Sequence, residues 1–249
     1  MKITKAFSLF LVFNLMLLGL VAPAKAQRRQ ENTQSANFGL PTHRRDGGSR
    51  GSQDSCVASA NNQNLMALIP ERTVGVSAST SPKLFFYVPE LKNQSILEFV
   101  LRNEADKLVY EAFLSTEGDG IMSVEIPSDL KANSLEADQN YHWYLSMICD
   151  GQQRSRDIVV EGWMRQEAID VATQEKLTTA SLIEKVEVYR TQGFWYDALS
   201  TLAENPDSVA KENIVSQKWS EMLASVGLAD LASEPLLETT IVDNPANSL

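Results

Sequence analysis

The segment "YHWYLSMICD" (141–150) decides the fold class, because its large apolar side chains occupy alternate positions. In an extended chain, successive side chains point to opposite faces of a sheet. One face of this segment carries Tyr141, Trp143, Leu145, Met147 and Cys149, and the other carries His142, Tyr144, Ser146 and Ile148. This period of two predicts a half-buried β-strand with His142 on its outward face.

Five neighbouring segments have the same strand-like composition: "LFFYVPE" (84–90), "SILEFVLRNE" (95–104), "KLVYEAFLST" (107–116), "GIMSVEIP" (120–127) and "DIVVEGWMR" (157–165). Turn-forming clusters divide them, and no helical period interrupts residues 65–165. This series of short strands predicts an antiparallel β-sandwich domain over residues 65–165. Gly162, inside the last strand, is expected to be a bulge or a point of close packing.

The stretch "SLEADQNYHW" (134–143) specifies the sandwich further. Leu135 precedes Tyr141, which enters a strand, and this arrangement resembles the tyrosine corner of immunoglobulin-like and fibronectin type III domains.

The hydrophobic period changes to that of an α-helix over residues 166–232. Ser181 and Glu184 have the spacing of a capping box at a helix start, and Gly227 has the position of a C-terminal cap. Between them, "YRTQGFWYDALSTLAE" (189–204) resembles a single tetratricopeptide helical hairpin with no further repeat. The predicted fold class is therefore segregated α+β. An immunoglobulin-like or fibronectin III-like antiparallel β-sandwich precedes a small helical hairpin and a third helix.

Residues 1–26 have the pattern of a signal peptide. Lys2 and Lys5 precede an apolar run, and "AKA" (24–26) supplies a small-x-small cleavage site. The run is shorter than the roughly 20 apolar residues of a spanning helix. We therefore expect cleavage after Ala26 and export to the periplasm, the cell surface or the extracellular space, with no stable membrane span. An uncleaved anchor is the alternative.

Two segments have compositions that do not build a core. Residues 27–64 are rich in Gln, Asn, Ser, Gly and Arg, which predicts a flexible basic arm. Residues 233–249 contain two prolines and no sustained period, which predicts a loose C-terminal tail.

The chain is acidic, and the arm is its basic part. Cleavage removes three lysines and no acid, so the net charge falls from −10 to −13. This acidity argues against a nucleic acid as partner, because proteins that bind nucleic acids need a basic surface. Within the arm, Arg44, Arg45 and Arg50 are candidate residues for binding an anion or a partner.

The two cysteines, Cys56 and Cys149, predict one disulfide, since an even count in an exported chain indicates pairing. Two buried free thiols are the alternative. The cysteines and the two histidines lack ligand spacing, so neither a metal nor another cofactor is predicted. A disulfide would also hold Arg50 near two carboxylates, Asp150 and Asp157, which are candidate docking residues for the arm. The alternative is a solvated linker whose arginines touch nothing.

The stretch "GGSRG" (47–51) matches the nucleophile elbow of serine hydrolases, but its surroundings do not. A working elbow lies between a buried strand and a helix, and Ser49 has neither beside it. No catalytic residue is therefore predicted. In the helical region, Phe194 and Tyr196 are candidate aromatic contacts for a ligand, whereas the spacing of Trp195 favours the core.

Seven stretches, in this order, resemble a cyanobacterial domain-of-unknown-function family, number 928: "RRDGGSRGSQDSC", "LMALIPE", "LFFYVPE", "EFVLRNE", "YHWYLSMICD", "DIVVEGW" and "GFWYDALSTLAE". The resemblance covers roughly residues 39–232. The Arg50-Gly51 pair ahead of Cys56, and the Cys149-Asp150 pair after the aromatic strand, match motifs of that family. The resemblance implies no activity, ligand or catalytic residue.

These observations favour an exported, non-catalytic protein-interaction or structural module of the cell envelope, whose partner is a protein or another envelope component. The first alternative is a binder of anionic envelope carbohydrate that uses the arginine arm and exposed aromatic rings. The second is an unrecognised hydrolase. A broad apolar patch beside the helical hairpin would favour the protein-interaction module, and paired carboxylates in a pocket would favour a hydrolase.

Overall fold

The structure, a computed structural model, describes residues 44, 56–58, 64–70, 74–92, 96–130, 135–205 and 214–244. Its strands are β1 (Met66–Ala67), β2 (Gly75–Ser77), β3 (Lys83–Val88), β4 (Ile96–Asn103), β5 (Leu108–Thr116), β6 (Gly120–Glu125), β7 (Asn140–Ile148), β8 (Ile158–Gln166) and β9 (Thr239–Val242). Its helices are α1 (Val171–Thr179), α2 (Leu182–Gln192), α3 (Trp195–Ala203) and α4 (Ile214–Ser225). The described part is thus a mixed α+β fold in which sheets precede helices, as predicted.

The strands form two sheets. Three strands pair in the order β1-β3-β6, and six pair in the order β2-β8-β7-β4-β5-β9. All neighbours are antiparallel except β2 and β8, which run parallel. Each of the six strands expected from the sequence is present, while β1, β2 and β9 were not expected.

The inward side chains of both sheets share one apolar core. Phe86 of β3 contacts Phe99 of β4 and Trp143 of β7, with ring centroids 6.3 and 5.3 Å apart. Along β7, the alternation expected from the sequence is confirmed, because Tyr141, Trp143, Leu145 and Met147 are buried. Gly162 of β8 pairs with Trp143 in regular register, and a Cβ atom there would collide with the indole ring. Gly162 is therefore a point of close packing and not a bulge.

The start of β7 has the contact that a tyrosine corner predicts. The Tyr141 hydroxyl accepts a hydrogen bond from the backbone N–H of Glu136 at 2.7 Å, and Leu135 packs against the core beside it.

Helices α2, α3 and α4 cover the outer face of the three-stranded sheet, where they build a second apolar cluster. Phe85 of β3 meets Trp219 of α4 edge to face at 6.2 Å. Strand β3 is thus buried on both sides, since Phe86 faces the first core. The predicted capping box of α2 is confirmed, as the N–H of Ser181 donates to Glu184 at 2.8 Å. Gly193 ends this helix with φ 87°, a left-handed conformation that glycine adopts without strain.

The C-terminal segment corrects the prediction of a loose tail from residue 233. The N–H of Ile121 in β6 donates to the carbonyl of Pro235, and Leu237 donates back to Ile121. Strand β9 then pairs with β5, which would otherwise be the edge strand of the other sheet. The segment therefore covers an edge of each sheet, and edge strands are otherwise open to pairing with other chains. Residues 245–249 lie outside the described residues.

Candidate functional site

The predicted disulfide is confirmed. Cys56 and Cys149 are bonded, with their Cα atoms 5.3 Å apart. Backbone hydrogen bonds from Ala58 to Glu90 and from Lys92 to Cys56 hold the same segment against the sheet. The chain is thus fixed at residues 56–58, inside the range expected to be a flexible arm.

Arg44 is also fixed, which contradicts the prediction that it binds an external anion or partner. Its guanidinium donates to the carbonyl of Ile69 at 2.9 Å and to the carbonyl of Val226 at 2.7 Å. Only 4% of the residue is exposed. Because a buried cation needs hydrogen-bond acceptors, Arg44 joins the segment after β1 to the end of α4 instead of reaching solvent. Arg45 and Arg50 lie outside the described residues, and their roles stay predictions.

The carboxylates that were expected to receive Arg50 have partners from their own turn. Arg154 lies between Asp157, at 2.6 Å, and Glu98, and Arg156 lies 3.8 Å from Asp150. Burial raises the pKa of Asp157, and the guanidinium of Arg154 opposes that shift. An arginine from the arm would therefore join charges that are already paired. Docking of Arg50 stays a prediction.

The aromatic residues proposed for ligand contact are buried, so this prediction is wrong. Tyr196 is 0% and Phe194 is 6% exposed. The Tyr196 ring lies so close to Gly75 that a Cβ atom there would be 2.5 Å from it. Trp195, expected in the core, is half-buried and donates its indole N–H to the carbonyl of Leu68 at 2.8 Å. Phe194 and Tyr196 lie on either side of Trp195 at the start of α3, and both rings pack into the protein.

An outward aromatic cluster lies on β7 and β8. The His142 ring stacks on Trp163, with centroids 4.5 Å apart, and its Nδ1 lies 2.7 Å from the Tyr144 hydroxyl. Its Nε2 lies 3.2 Å from a Glu161 oxygen. Burial lowers the pKa of His142, although Glu161 opposes the shift, and burial raises the pKa of Tyr144. Both groups are thus neutral near pH 7, and Tyr144 is not activated as a nucleophile.

A polar cleft of about 320 Å³ lies between the β2–β3 connection and the helices α1, α2 and α3. We call it the polar cleft; its polar side chains include Ser79, Lys83, Tyr189, Asp197, Ser200 and Glu204. On this concave surface, residues of the β2–β3 connection and of the helices converge.

Asp197 fixes the wall of the polar cleft. One of its carboxylate oxygens accepts the N–H of Ala78 at 2.9 Å, and the other accepts the N–H of Ser79 at 3.1 Å. Burial raises the pKa of Asp197, and these donors oppose the shift. Since both oxygens bind backbone, the carboxylate holds the β2–β3 connection to α3.

The charge of Lys83 in the cleft is balanced. Its ammonium lies 2.8 Å from Glu204 and 3.6 Å from Glu125. The hydrogen bond to Glu204 raises the pKa of Lys83. The amine is therefore protonated and already paired on both sides.

A second concave surface is apolar. It lies between the end of α1 and the outer side of α2 and has a volume of about 480 Å³. We call it the helical groove; it is lined by Lys176, Thr179, Ala180, Ile183, Glu184, Glu187 and Val188. Ile183 and Val188 are only half-buried there, beside the predicted helical hairpin.

Among the described residues, no group of three or more His, Cys, Asp or Glu side chains is placed to hold a metal ion. None of the helices in that part of the chain has the length and apolar character needed to cross a membrane.

Sequence reasoning did not single out Asp197, Lys83 or Arg154. A signal existed for Arg154, which precedes Asp157 by three residues in a tight turn. For Asp197, the only signal was a charged residue beside the apolar stripe of α3, and its partners are 118 and 119 residues away.

No curated protein and no solved structure matches this chain. A family model does match it, over residues 45–236, which is more than half of the sequence and includes the disulfide, strands β1 to β8 and the four described helices, but not β9. The match agrees with the resemblance carried by the ordered motifs. The chain therefore belongs to the family described as Domain of Unknown Function (DUF928).

Proposed function

We propose that this protein is an exported, non-catalytic protein-interaction module of the cell envelope, and that it binds its partner through the helical groove. The observation that carries the proposal is the apolar floor of the groove, formed by Ala180, Ile183 and Val188 between two helices. Apolar surface that stays in contact with water is costly, and grooves between helices commonly receive an apolar segment of another protein.

Export is supported by two independent features. The N-terminal 26 residues have the pattern of a signal peptide, and the Cys56–Cys149 bond belongs to an oxidising compartment. Both oxygens of Asp197, a carboxylate that lines the polar cleft, accept backbone N–H groups, and this structural use supports a non-catalytic role.

The strand order supports the finer assignment to the immunoglobulin-like or fibronectin III-like sandwiches. Among the described strands, the chain changes sheet after β1, β2, β3, β5 and β6. Connections between two packed sheets also occur in that class, and the Tyr141 contact lies at the start of β7, as a tyrosine corner lies at the start of a strand.

Site-specific photo-crosslinking in the native envelope tests the proposal. A photoreactive amino acid replaces Val188 in the groove, and, as a matched control, Ser220 on the exposed surface of α4. We expect one discrete protein adduct from position 188 and none from position 220. The adduct should disappear when Ile183→Asp places a charge in the groove. Equal labelling from both positions, or an adduct that survives Ile183→Asp, would contradict this function.

A further inference from the structure

The polar cleft has a wall of fixed geometry. Asp197 is 8% exposed and clamps the N–H groups of Ala78 and Ser79, and the Ser77 hydroxyl accepts the N–H of Ser79 at 3.1 Å. A site whose backbone is held in this way loses little conformational entropy when a ligand binds.

The cleft also holds two hydroxyl groups that have no hydrogen-bond partner among the described residues. They belong to Tyr189 and Ser200, which both line the cleft. The Ser79 hydroxyl accepts the N–H of Ser81 at 3.0 Å and still has its own proton to donate. A hydroxyl both donates and accepts, so these three groups suit a ligand whose groups do the same.

The charges of the cleft select against ions. Lys83 is paired with Glu204 and Glu125, and Asp197 with backbone N–H groups. An anionic ligand would meet more carboxylates than amines. A cationic ligand would compete with the ammonium that already lies 2.8 Å from Glu204. A neutral polar ligand meets neither cost.

Tyr189 supplies an apolar surface among these polar groups. Its ring is half-buried and is held edge to face by Phe194, with centroids 6.4 Å apart. A tyrosine ring has apolar faces and a hydroxyl at its rim, which matches a sugar ring, with C–H groups on its faces and hydroxyls at its edge.

We infer that the polar cleft binds a neutral polyhydroxylated ligand of the size of a mono- or disaccharide. The volume of about 320 Å³ is at the lower end of the range for ligand pockets, roughly 300–1,000 Å³. This site shares no residue with the helical groove, so the inference does not depend on the proposed protein partner.

Nuclear magnetic resonance titration of the full mature protein tests the inference. Cellobiose, maltose and inorganic phosphate are each added to about 10 mM, which detects dissociation constants of about 1 mM. We expect at least one disaccharide to shift the amide signals of Ala78 and Ser79 in a saturable manner. Phosphate should leave them unchanged. No saturable shift with either sugar, or a larger shift with phosphate, would overturn the inference.

Two tyrosine variants locate the binding. Tyr189→Phe keeps the ring and removes only a hydroxyl that has no partner in the described residues, so the fold should be unaffected. We expect disaccharide binding to weaken about threefold to tenfold, the loss of one ligand hydrogen bond. Tyr144→Phe, on the outer face of β7, is the matched control and should bind as the wild type does. Unchanged binding by Tyr189→Phe, or equal weakening by both variants, would place the ligand elsewhere.

Discussion

Replacing Arg44 by alanine should destabilise the protein strongly, although sequence reasoning placed this residue in a free arm. The guanidinium makes a buried hydrogen bond to the carbonyl of Ile69 and a partly buried one to the carbonyl of Val226. Each hydrogen bond from a charged donor contributes roughly 1.5–3 kcal/mol. The cost of burying the cation offsets part of this sum. We therefore expect a loss of about 2–4 kcal/mol, a large fraction of the roughly 5–15 kcal/mol of a typical domain.

Urea denaturation followed by tryptophan fluorescence measures this loss as a change in the free energy of unfolding. The midpoint should fall while the denaturant slope stays constant, because the surface exposed on unfolding barely changes. Arg44→Met separates packing from hydrogen bonding, since methionine keeps the apolar stem. Most of the loss should persist in Arg44→Met.

Arg190 provides the matched surface control. Its guanidinium lies 2.8 Å from Glu187 on α2, and its side chain is 54% exposed. An exposed ion pair of this kind contributes about 0–1 kcal/mol. If Arg44→Ala loses no more stability than Arg190→Ala, the two carbonyl contacts do not hold the fold. Arg44 would then be available for an external anion, as first predicted.

Three further changes test other parts of the structure. Gly162→Ala should lose roughly 1–3 kcal/mol of stability, because the added methyl group overpacks against the indole ring that Gly162 faces. Gly151→Ala is the control and should lose almost none, since a Cβ atom at Gly151 would have no neighbour within 4 Å. Equal melting temperatures of the two variants would refute the close packing. Replacing Cys56 and Cys149 together by serine should lower the free energy of unfolding by roughly 4–5 kcal/mol, since the bond closes a loop with a sequence separation of 93. Reductant should lower the melting temperature of the wild type but not that of the variant. The pKa of His142 is lower in the folded protein than in the unfolded chain, so the unfolded chain binds a proton at higher pH than the folded protein does. The free energy of unfolding should therefore fall as the pH decreases below about 6.5. When the free energy of unfolding is measured between about pH 7.5 and 5.5, His142→Gln should reduce its dependence on pH. The same change at the other histidine, His43→Gln, should leave that dependence unchanged.

The six longer strands could be predicted because their signal is local. Each has enough alternating or apolar residues to show a period of two, and their observed bounds differ by only one or two residues at most ends. Strands β1, β2 and β9 have two, three and four residues, too few to show a period. Their pairing partners fix them instead, and β9 pairs with β5, more than a hundred residues earlier in the chain.

The candidate sites could not be predicted because they depend on burial of polar groups by distant segments. The sequence around Arg44 has the composition of a solvated arm, and the carbonyl of Val226 that accepts its hydrogen bond lies 182 residues away. Asp197 lies in a helix whose stripe predicts only packing. The disulfide was predictable because the chain has only two cysteines, so one pairing exists.

Helix α2 positions both candidate surfaces, which the predicted helical period alone did not reveal. Val186 is fully buried and anchors the helix, while the capping box at Ser181 and the left-handed glycine after it define its two ends. From this support, Ile183 and Val188 line the helical groove, and Tyr189 lines the polar cleft. The pKa of Tyr189 is raised by burial and then by the nearby carboxylates of Asp197 and Glu204. Both surfaces therefore depend on one short helix whose placement comes from the core. A substitution that loosens Val186 should impair the groove and the cleft together, whereas Ile183→Asp and Tyr189→Phe act on one surface each.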